Sequence, residues 1–515
     1  MQFVEHPWIN PNTIEKRSYQ ENVVKTAIGS NTLCVLPTGL GKTNIAALVT
    51  ANRLEKDFNK KILFLAPTKP LVNQHKRTFE KFLKLGLEFR AVTGFNKPEE
   101  RERLYQEGNI IFATPQTIRN DLKNNILNLD NFSLLIIDEC HRAVGNYAYP
   151  YVARQYRWQS KDPLILGLTA SPGSFKYKID EVKKKLYIDK VEIKTRDDSD
   201  VKPYIQKLKQ EWLEIELTPE MREIKENLEK IKKERIMKLL NWRVIQSAGI
   251  TKSQILRLQG ELAKKRTGFS YAAMSQLAEI LKLDHALILL ETQSLYSLKN
   301  YFEKLSTQKT RAVGRLMKNE DFMKAMKLTN ELIKKGHEHP KIEKLKEVIR
   351  EELEGNKYTN IIVFVQFRDT ITRIEQALRE IPLAAPVEFI GQTKKSGKGL
   401  SQKEQIQILK EFQMGFYNIL LATQIGEEGL DIEETSMVIF YEPIPSAIRK
   451  IQRTGRTART QPGKVVILMT KGTRDEAYHW SGYRKEIKMH KILYDIKKGQ
   501  KDLKEFPVQT NQTEK

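Results

Sequence analysis

A seven-residue turn, Pro37-Thr38-Gly39-Leu40-Gly41-Lys42-Thr43, constrains this chain more than any other feature, because it stands between an apolar run at residues 32–36 and an apolar helical pattern. Glycines there let the backbone curl, and the free N–H groups at the start of the following helix then converge on one spot, a geometry that holds a phosphate. In such a loop Lys42 neutralises the β- and γ-phosphates and the Thr43 hydroxyl holds Mg²⁺. The strict pattern has glycine where Leu36 stands, so this is a variant. A phosphate loop of this kind works at the carboxyl end of a strand in a parallel sheet. The chain must therefore supply βα units around it.

It does so twice. Short apolar runs at residues 32–36, 62–66, 110–114, 134–138 and 164–169 alternate with helical patterns, and the rhythm returns at 361–365, 418–423, 437–441 and 465–469. Alternation of this kind reads as parallel strands with crossover helices. Two α/β domains are expected, over residues 1–200 and 341–492. Between them, from Thr218 to His339, Pro219 is the single proline and strand-like alternation disappears. Thr218-Pro219-Glu220 reads as a helix start, with a capping hydroxyl, proline in the first turn and an acid near the positive end of the dipole. Met221, Ile224, Leu228 and Ile231 then mark one apolar face, with Lys225, Lys232 and Arg235 off it as surface cations. An all-helical insertion is expected over 201–340, and a polar, Lys-rich tail or linker over 493–515.

Charge narrows the partner. Lys and Arg number 88 against 64 Asp and Glu, a formal net charge of +24, which favours a polyanion, nucleic acid before membrane. The 201–340 segment holds 27 Lys and Arg against 17 Asp and Glu; solvated helix faces are the plainer explanation, a basic binding arm the sharper one. No apolar run approaches the roughly 18 residues of a membrane span. The first residues lack a basic start followed by an apolar stretch, and Cys34 and Cys140 are too few for a disulfide scaffold or a four-Cys zinc site. The expected setting is intracellular, the nucleoid-associated cytoplasm of a prokaryote, with no membrane partner.

Two further groups bear on chemistry. Asp138-Glu139 ends the buried run Leu134-Leu135-Ile136-Ile137, where a parallel sheet binds ligands. Asp138 there can hold the Mg²⁺ hydration shell while Glu139 orients and deprotonates a water; capping the next helix is the bland alternative. Cys140-His141 beside them makes a poor zinc site, and His141 instead couples the acids to their surroundings. Gln452-Arg453-Thr454-Gly455-Arg456-Thr457-Ala458-Arg459 lies more than 300 residues further on, with Arg456 and Arg459 on one side of a helical turn. They can face a γ-phosphate or form a solvated or nucleic-acid-binding surface.

In this order the residues resemble superfamily-two helicases and translocases of the DExH type, over about residues 10–490. The resemblance implies two RecA-like domains closing over one ATP with Mg²⁺, and nucleic acid running across their top. It implies that Gln20 reads adenine with Arg17 in support, that Pro37 to Thr43 cradle the phosphates, and that Thr169-Ala170-Ser171 links hydrolysis to strand movement. By the same likeness Gly429 and Asp431 bind the nucleotide, Asp431 approaching the ribose, Gln452 reaches towards the phosphate and water, and Arg456 and Arg459 are arginine fingers. Pro67, Thr68, Lys69, Thr114, Pro115, Gln366, Phe367, Arg368 and Thr423 match positions that track the sugar-phosphate backbone, contacts that carry little base information.

A narrower likeness, to archaeal Hef and the Fanconi anaemia M-type translocases, rests on His141-Arg142-Ala143, Gly145-Asn146-Tyr147-Ala148-Tyr149 and Gly399-Leu400-Ser401-Gln402-Lys403-Glu404-Gln405. It implies an ATP-dependent DNA helicase or translocase acting on forked or branched DNA in repair and recombination, with single- and double-stranded DNA backbone as partners and the insertion as a thumb against duplex DNA. Hef proteins also carry an XPF-like nuclease domain with a Glu-Arg-Lys core. That core is not found here, so the chain reads as the helicase half, with such a nuclease as a partner outside it. A duplex-RNA-dependent ATPase like the RIG-I-like receptors or Dicer helicase domains is the alternative. A non-enzymatic clamp is disfavoured because Lys42, Asp138, Glu139, Arg456 and Arg459 are all in place.

Overall fold

The computed structural model describes residues 2–170, 176–391, 399–423, 435–446, 457 and 463–504. Its first sheet is built from β1 (Thr32–Val35), β2 (Lys61–Leu65), β3 (Phe89–Val92), β4 (Ile110–Ala113), β5 (Phe132–Ile137), β6 (Ile165–Thr169) and β7 (Lys190–Ile193), in the spatial order β3-β4-β2-β5-β6-β1-β7. Every pairing is parallel. Successive side chains point to opposite faces of a strand, and both faces here are covered. Ile62, Phe64, Leu134 and Ile136 join one apolar cluster, and Leu63, Leu65, Leu135 and Ile137 the other.

The second sheet contains β8 (Leu208–Ile215), β9 (Ile361–Phe364), β10 (Pro386–Phe389), β11 (Ile419–Ala422), β12 (Met437–Phe440) and β13 (Gly463–Thr470), ordered β10-β11-β9-β12-β13-β8 and again parallel. One expectation is corrected here. Residues 201–340 are not helical throughout, because β8 pairs with β13 over eight residues, from Leu208 opposite Gly463 to Ile215 opposite Thr470. The second α/β unit therefore begins before the helices, which are inserted between its edge strand and β9.

The insertion comprises helices Pro219–Asn241, Lys252–Lys265, Gly268–Thr292, Leu295–Ser306, Arg311–Leu316 and Glu320–Lys334. Its start is the one read from sequence: Thr218 Oγ1 accepts from Met221 N–H at 3.3 Å, and Met221, Ile224, Leu228 and Ile231 are buried. The cations off that face are not free in solvent, however. Lys225 pairs with Glu291 at 3.4 Å, Lys232 with Asp284 at 2.6 Å and Arg235 with Glu279 at 2.7 Å. These partners descend the Gly268–Thr292 helix as the cations ascend theirs, an antiparallel ladder that fixes the register of the two long helices. Glu279 is fully buried and also faces Arg315 at 3.5 Å, so removing Arg235 would leave its carboxylate with that more distant cation alone among the described residues.

A second apolar cluster, with Leu239, Ile255, Leu262 and Leu277, forms the far end of the bundle. Between residues 236 and 275 that end carries seven Lys and Arg against one Glu. At the near end, a buried polar joint fastens the bundle to the second sheet. Tyr441 OH donates to Gln293 O at 2.6 Å, and Thr370 Oγ1 donates to Gln293 Oε1 at 3.0 Å. Lys341, fully buried, pairs with the equally buried Asp475.

Asp475 lies in helix Arg474–Lys504, which corrects the expected tail at 493–515. The helix is roughly 45 Å long at 1.5 Å per residue. Its buried Met489 and Leu493 belong to the core of the first domain. Apolar residues spaced among lysines are enough to bury one face, so the chain after 492 stays helical through Lys504.

Candidate active site

β5, β6 and β1 are consecutive neighbours, so the turn after β1, the acids after β5 and Thr169 at the end of β6 lie side by side. Gly39 and Gly41 have φ of 83° and 78°, the left-handed region that glycine enters without steric cost. Gly41 caps helix Lys42–Lys56. A Cβ there would collide with the Gln20 side-chain amide, so glycine is required twice over. Lys42 Nζ donates to Leu36 O at 3.1 Å, lying across the mouth of the loop.

Gln20 is almost fully buried behind the loop and donates through Nε2 to Leu40 O at 3.1 Å, which also accepts from Tyr19 OH at 2.9 Å. Its Oε1 has no hydrogen-bond partner among the described residues. Arg17 is held by Glu15 at 2.9 and 2.7 Å and sits 4.6 Å from the centre of the Tyr204 ring. These contacts position Arg17 and Gln20 at the rim of the phosphate loop.

Asp138 is buried, and its Oδ2 accepts from His75 Nε2 at 3.0 Å. Burial alone would raise its pKa, but the His75 hydrogen bond and the nearby charges of His75 and Lys42 outweigh burial and hold it below the usual range. His75 was missed from sequence. It lies on helix Lys69–Phe82, whose start carries Lys69, and its ring packs 4.5 Å from that of Phe64. A lone histidine on an apolar helix face gives no local signal. Replacing His75 with alanine leaves burial less opposed, so the Asp138 pKa rises and the acidic limb of the ATPase pH profile moves to higher pH. An unmoved limb in the pH dependence of turnover would separate His75 from the carboxylate's ionisation.

Glu139 has φ of 48°, uncommon for a residue with a long side chain. Its Oε2 lies 3.2 Å from His141 Nδ1, within ion-pair distance but off the hydrogen-bond direction, so this buried oxygen has no hydrogen-bond partner among the described residues. His141 Nδ1 hydrogen-bonds with Thr169 Oγ1 at 3.0 Å, which ties the acids to the end of β6. Gly429, Asp431, Gln452, Arg456, Arg459 and Ser171 lie outside the described residues.

The backbone-tracking candidates gather at other strand ends. Pro67 follows β2, and Thr68 and Thr114 are the capping positions of helices Lys69–Phe82 and Pro115–Lys123, which follow the neighbouring strands β2 and β4. In the second sheet, Gln366 is exposed after β9, and Thr423 follows the adjacent β11. Arg368 donates to Gly391 O at 3.1 Å. Phe367 also contacts the insertion. Its ring packs on the bundle core, 5.9 Å from the His285 ring, so it braces the insertion.

Comparison with known proteins places these features in context. The model described as "DEAD/DEAH box helicase" matches residues 17–178, and that described as "Helicase conserved C-terminal domain" matches 340–461. The one described as "Putative ATP-dependent RNA helicase, helical bundle" matches 220–336. The crystal structure of the Pyrococcus furiosus Hef helicase domain is similar with a TM-score of 0.73 and 41% identity, over 92% of this chain and 99% of that one. "Putative ATP-dependent RNA helicase MJ1505" of Methanocaldococcus jannaschii is 42% identical over 96% of this chain and 63% of its own length. "ATP-dependent DNA helicase fml1" of Schizosaccharomyces pombe is 34% identical over 91% of this chain and 58% of its own length. The chain thus spans less than two thirds of those two relatives.

Proposed function

We propose that this chain, which belongs to the superfamily-two DEAD/DEAH-box helicases in the group of the Hef helicase domain, is an ATP-driven motor that remodels forked or branched DNA. The ATP dependence is that of the family. The substrate is our reading, and what supports it most is the exposed, basic far end of the bundle.

The nucleotide pocket fits ATP with Mg²⁺. Two buried oxygens, Gln20 Oε1 and Glu139 Oε2, lack hydrogen-bond partners among the described residues; the first suits the adenine amino group, the second a water. Thr43 and Asp138 would hold the metal, which when bound neutralises charge on the β- and γ-phosphates. Lys42 leaves Leu36 O for the phosphates, and the N–H groups from Gly39 to Thr43 cradle them. Glu139 takes the proton of the attacking water. His141 carries the rearrangement to Thr169, and His75 carries it to the helix that begins at Thr68 and Lys69. One site can therefore drive stepping at the other through the Asp138–His75 hydrogen bond and the Glu139–His141–Thr169 contacts.

The RNA-helicase names of the helical-bundle model and of the Methanocaldococcus protein favour a second reading, a duplex-RNA-dependent ATPase. Comparing ATPase stimulation by forked DNA, linear duplex DNA and duplex RNA decides between them, with the fork expected to be strongest. Replacing the exposed Lys252, Lys264 and Lys265 with glutamine should lower fork binding more than single-strand binding and leave the thermal midpoint unchanged. Each phosphate that the variant no longer neutralises lowers the salt slope by about 0.9 on duplex DNA. Equal weakening on both substrates would make the bundle a spacer, and strongest stimulation by duplex RNA would overturn the DNA reading.

A further inference from the structure

Phe95 is 76% exposed, yet the turn that carries it is firmly tied. Asn96 N–H donates to Thr93 O at 3.1 Å, and Thr93 N–H donates to Asn96 Oδ1 at 3.1 Å. Arg101 donates to Asn96 O at 2.6 Å and is itself clamped by Asp121 at 2.8 and 2.6 Å. Asp121 has no exposed surface and also accepts from Tyr105 OH at 2.6 Å. A slack loop could fold an aromatic ring back onto the protein. This turn holds it out in water.

Its neighbours say what the ring faces. The turn follows β3, beside β4, where Thr114 N–H donates to Val92 O at 3.4 Å. On the other side Lys69 Nζ stands over the Phe95 ring, 4.0 Å from its centre. Phe95 therefore lies beside the first turns of helices Lys69–Phe82 and Pro115–Lys123, whose free N–H groups favour phosphates. Thr68 Oγ1, at the first of these, is buried without a hydrogen-bond partner among the described residues.

We propose that Phe95 stacks on a base of the strand whose backbone is held by the two helix starts at Thr68 and Thr114. Lys69 covers one face of the ring and leaves the other for the base. Phosphate and base belong to one nucleotide, so a backbone fixed at those N-termini brings a base to a ring fixed beside them. Stacking uses the π face and tolerates any base, which suits a motor that reads no sequence. It also demands an unpaired base, so Phe95 selects single strands over intact duplex. This inference rests on the DNA-motor reading.

The test uses the full chain with Phe95→Ala and Phe95→Trp, titrated against a single-stranded oligonucleotide containing 2-aminopurine and against its duplex. Alanine is expected to weaken single-strand binding roughly 5- to 100-fold, to abolish the fluorescence change of the stacked base and to alter duplex affinity little; tryptophan restores both. The ring is exposed, so the thermal midpoints of the variants should match. Unchanged single-strand binding by Phe95→Ala, or an equal weakening on duplex, overturns the stacking role. If the unmodified chain bound neither DNA, the DNA-motor reading itself would fail, a result separable from failure of the variant alone.

Discussion

Replacing Arg456 or Arg459 with alanine is expected to slow ATP turnover by about 10³–10⁵-fold, although both residues lie more than 300 positions from Glu139. Charge builds on the transferring phosphoryl oxygens in the transition state, and the first domain offers them Lys42 and backbone N–H groups from one side only. On the proposed reading, the Arg456 and Arg459 guanidinium groups would complete the shell. Lysine should rescue poorly at either position, because an ammonium lacks the planar fork that grips two oxygens. Single-turnover hydrolysis at saturating ATP measures the effect. Wild-type turnover by both alanine variants would confine the chemistry to the first domain. A shortened chain is a poorer probe, since Met489 and Leu493 of the last helix complete the core of the first domain.

How far the sequence could be read follows from where each strand sits. The interior strands β4, β2, β5, β6 and β1 of one sheet, and β11, β9, β12 and β13 of the other, are all marked by apolar runs. The four strands that leave no such mark, β3, β7, β8 and β10, are the four sheet edges. An interior parallel strand is buried on both faces and reads as a continuous run. An edge strand is not. In β8, Leu208–Ile215, Ile215 alone is buried, and Lys209, Gln210 and Glu214 are exposed. Missing β8 moved the apparent start of the helical insertion back to residue 201.

The site divides along a similar line. Residues next to each other in the chain, such as Gly39 to Thr43 or Asp138-Glu139, carry their geometry in local spacing. His75 and Asp138 meet only because β2 and β5 are neighbours, which places the helix after one beside the turn after the other. Phe367 follows the same logic in reverse, since its ring is claimed by a bundle packed on it from another part of the chain. Lys225, Lys232 and Arg235 were correctly placed off the apolar face of their helix, yet the acids opposite them on Gly268–Thr292 were invisible to periodicity.

Glu139→Gln should keep ATP binding and slow turnover by about 10²–10⁴-fold, the contribution of a positioned general base. The amide has the shape of the carboxylate and can occupy the same left-handed turn, so the phosphate loop, Asp138 and the Gln20 pocket stay as they are. What it lacks is basicity, and no other carboxylate among the described residues stands ready, because Asp138 Oδ2 is engaged by His75 at 3.0 Å. Lys42→Ala provides the contrast, since removing the phosphate-neutralising ammonium weakens binding and hydrolysis together. Nucleotide affinity by fluorescent-ATP titration, set beside steady-state ATPase, separates the two variants. If Glu139→Gln hydrolysed ATP at the wild-type rate, the base would have to be another group, and the unpartnered Oε2 beside His141 would have only a structural role.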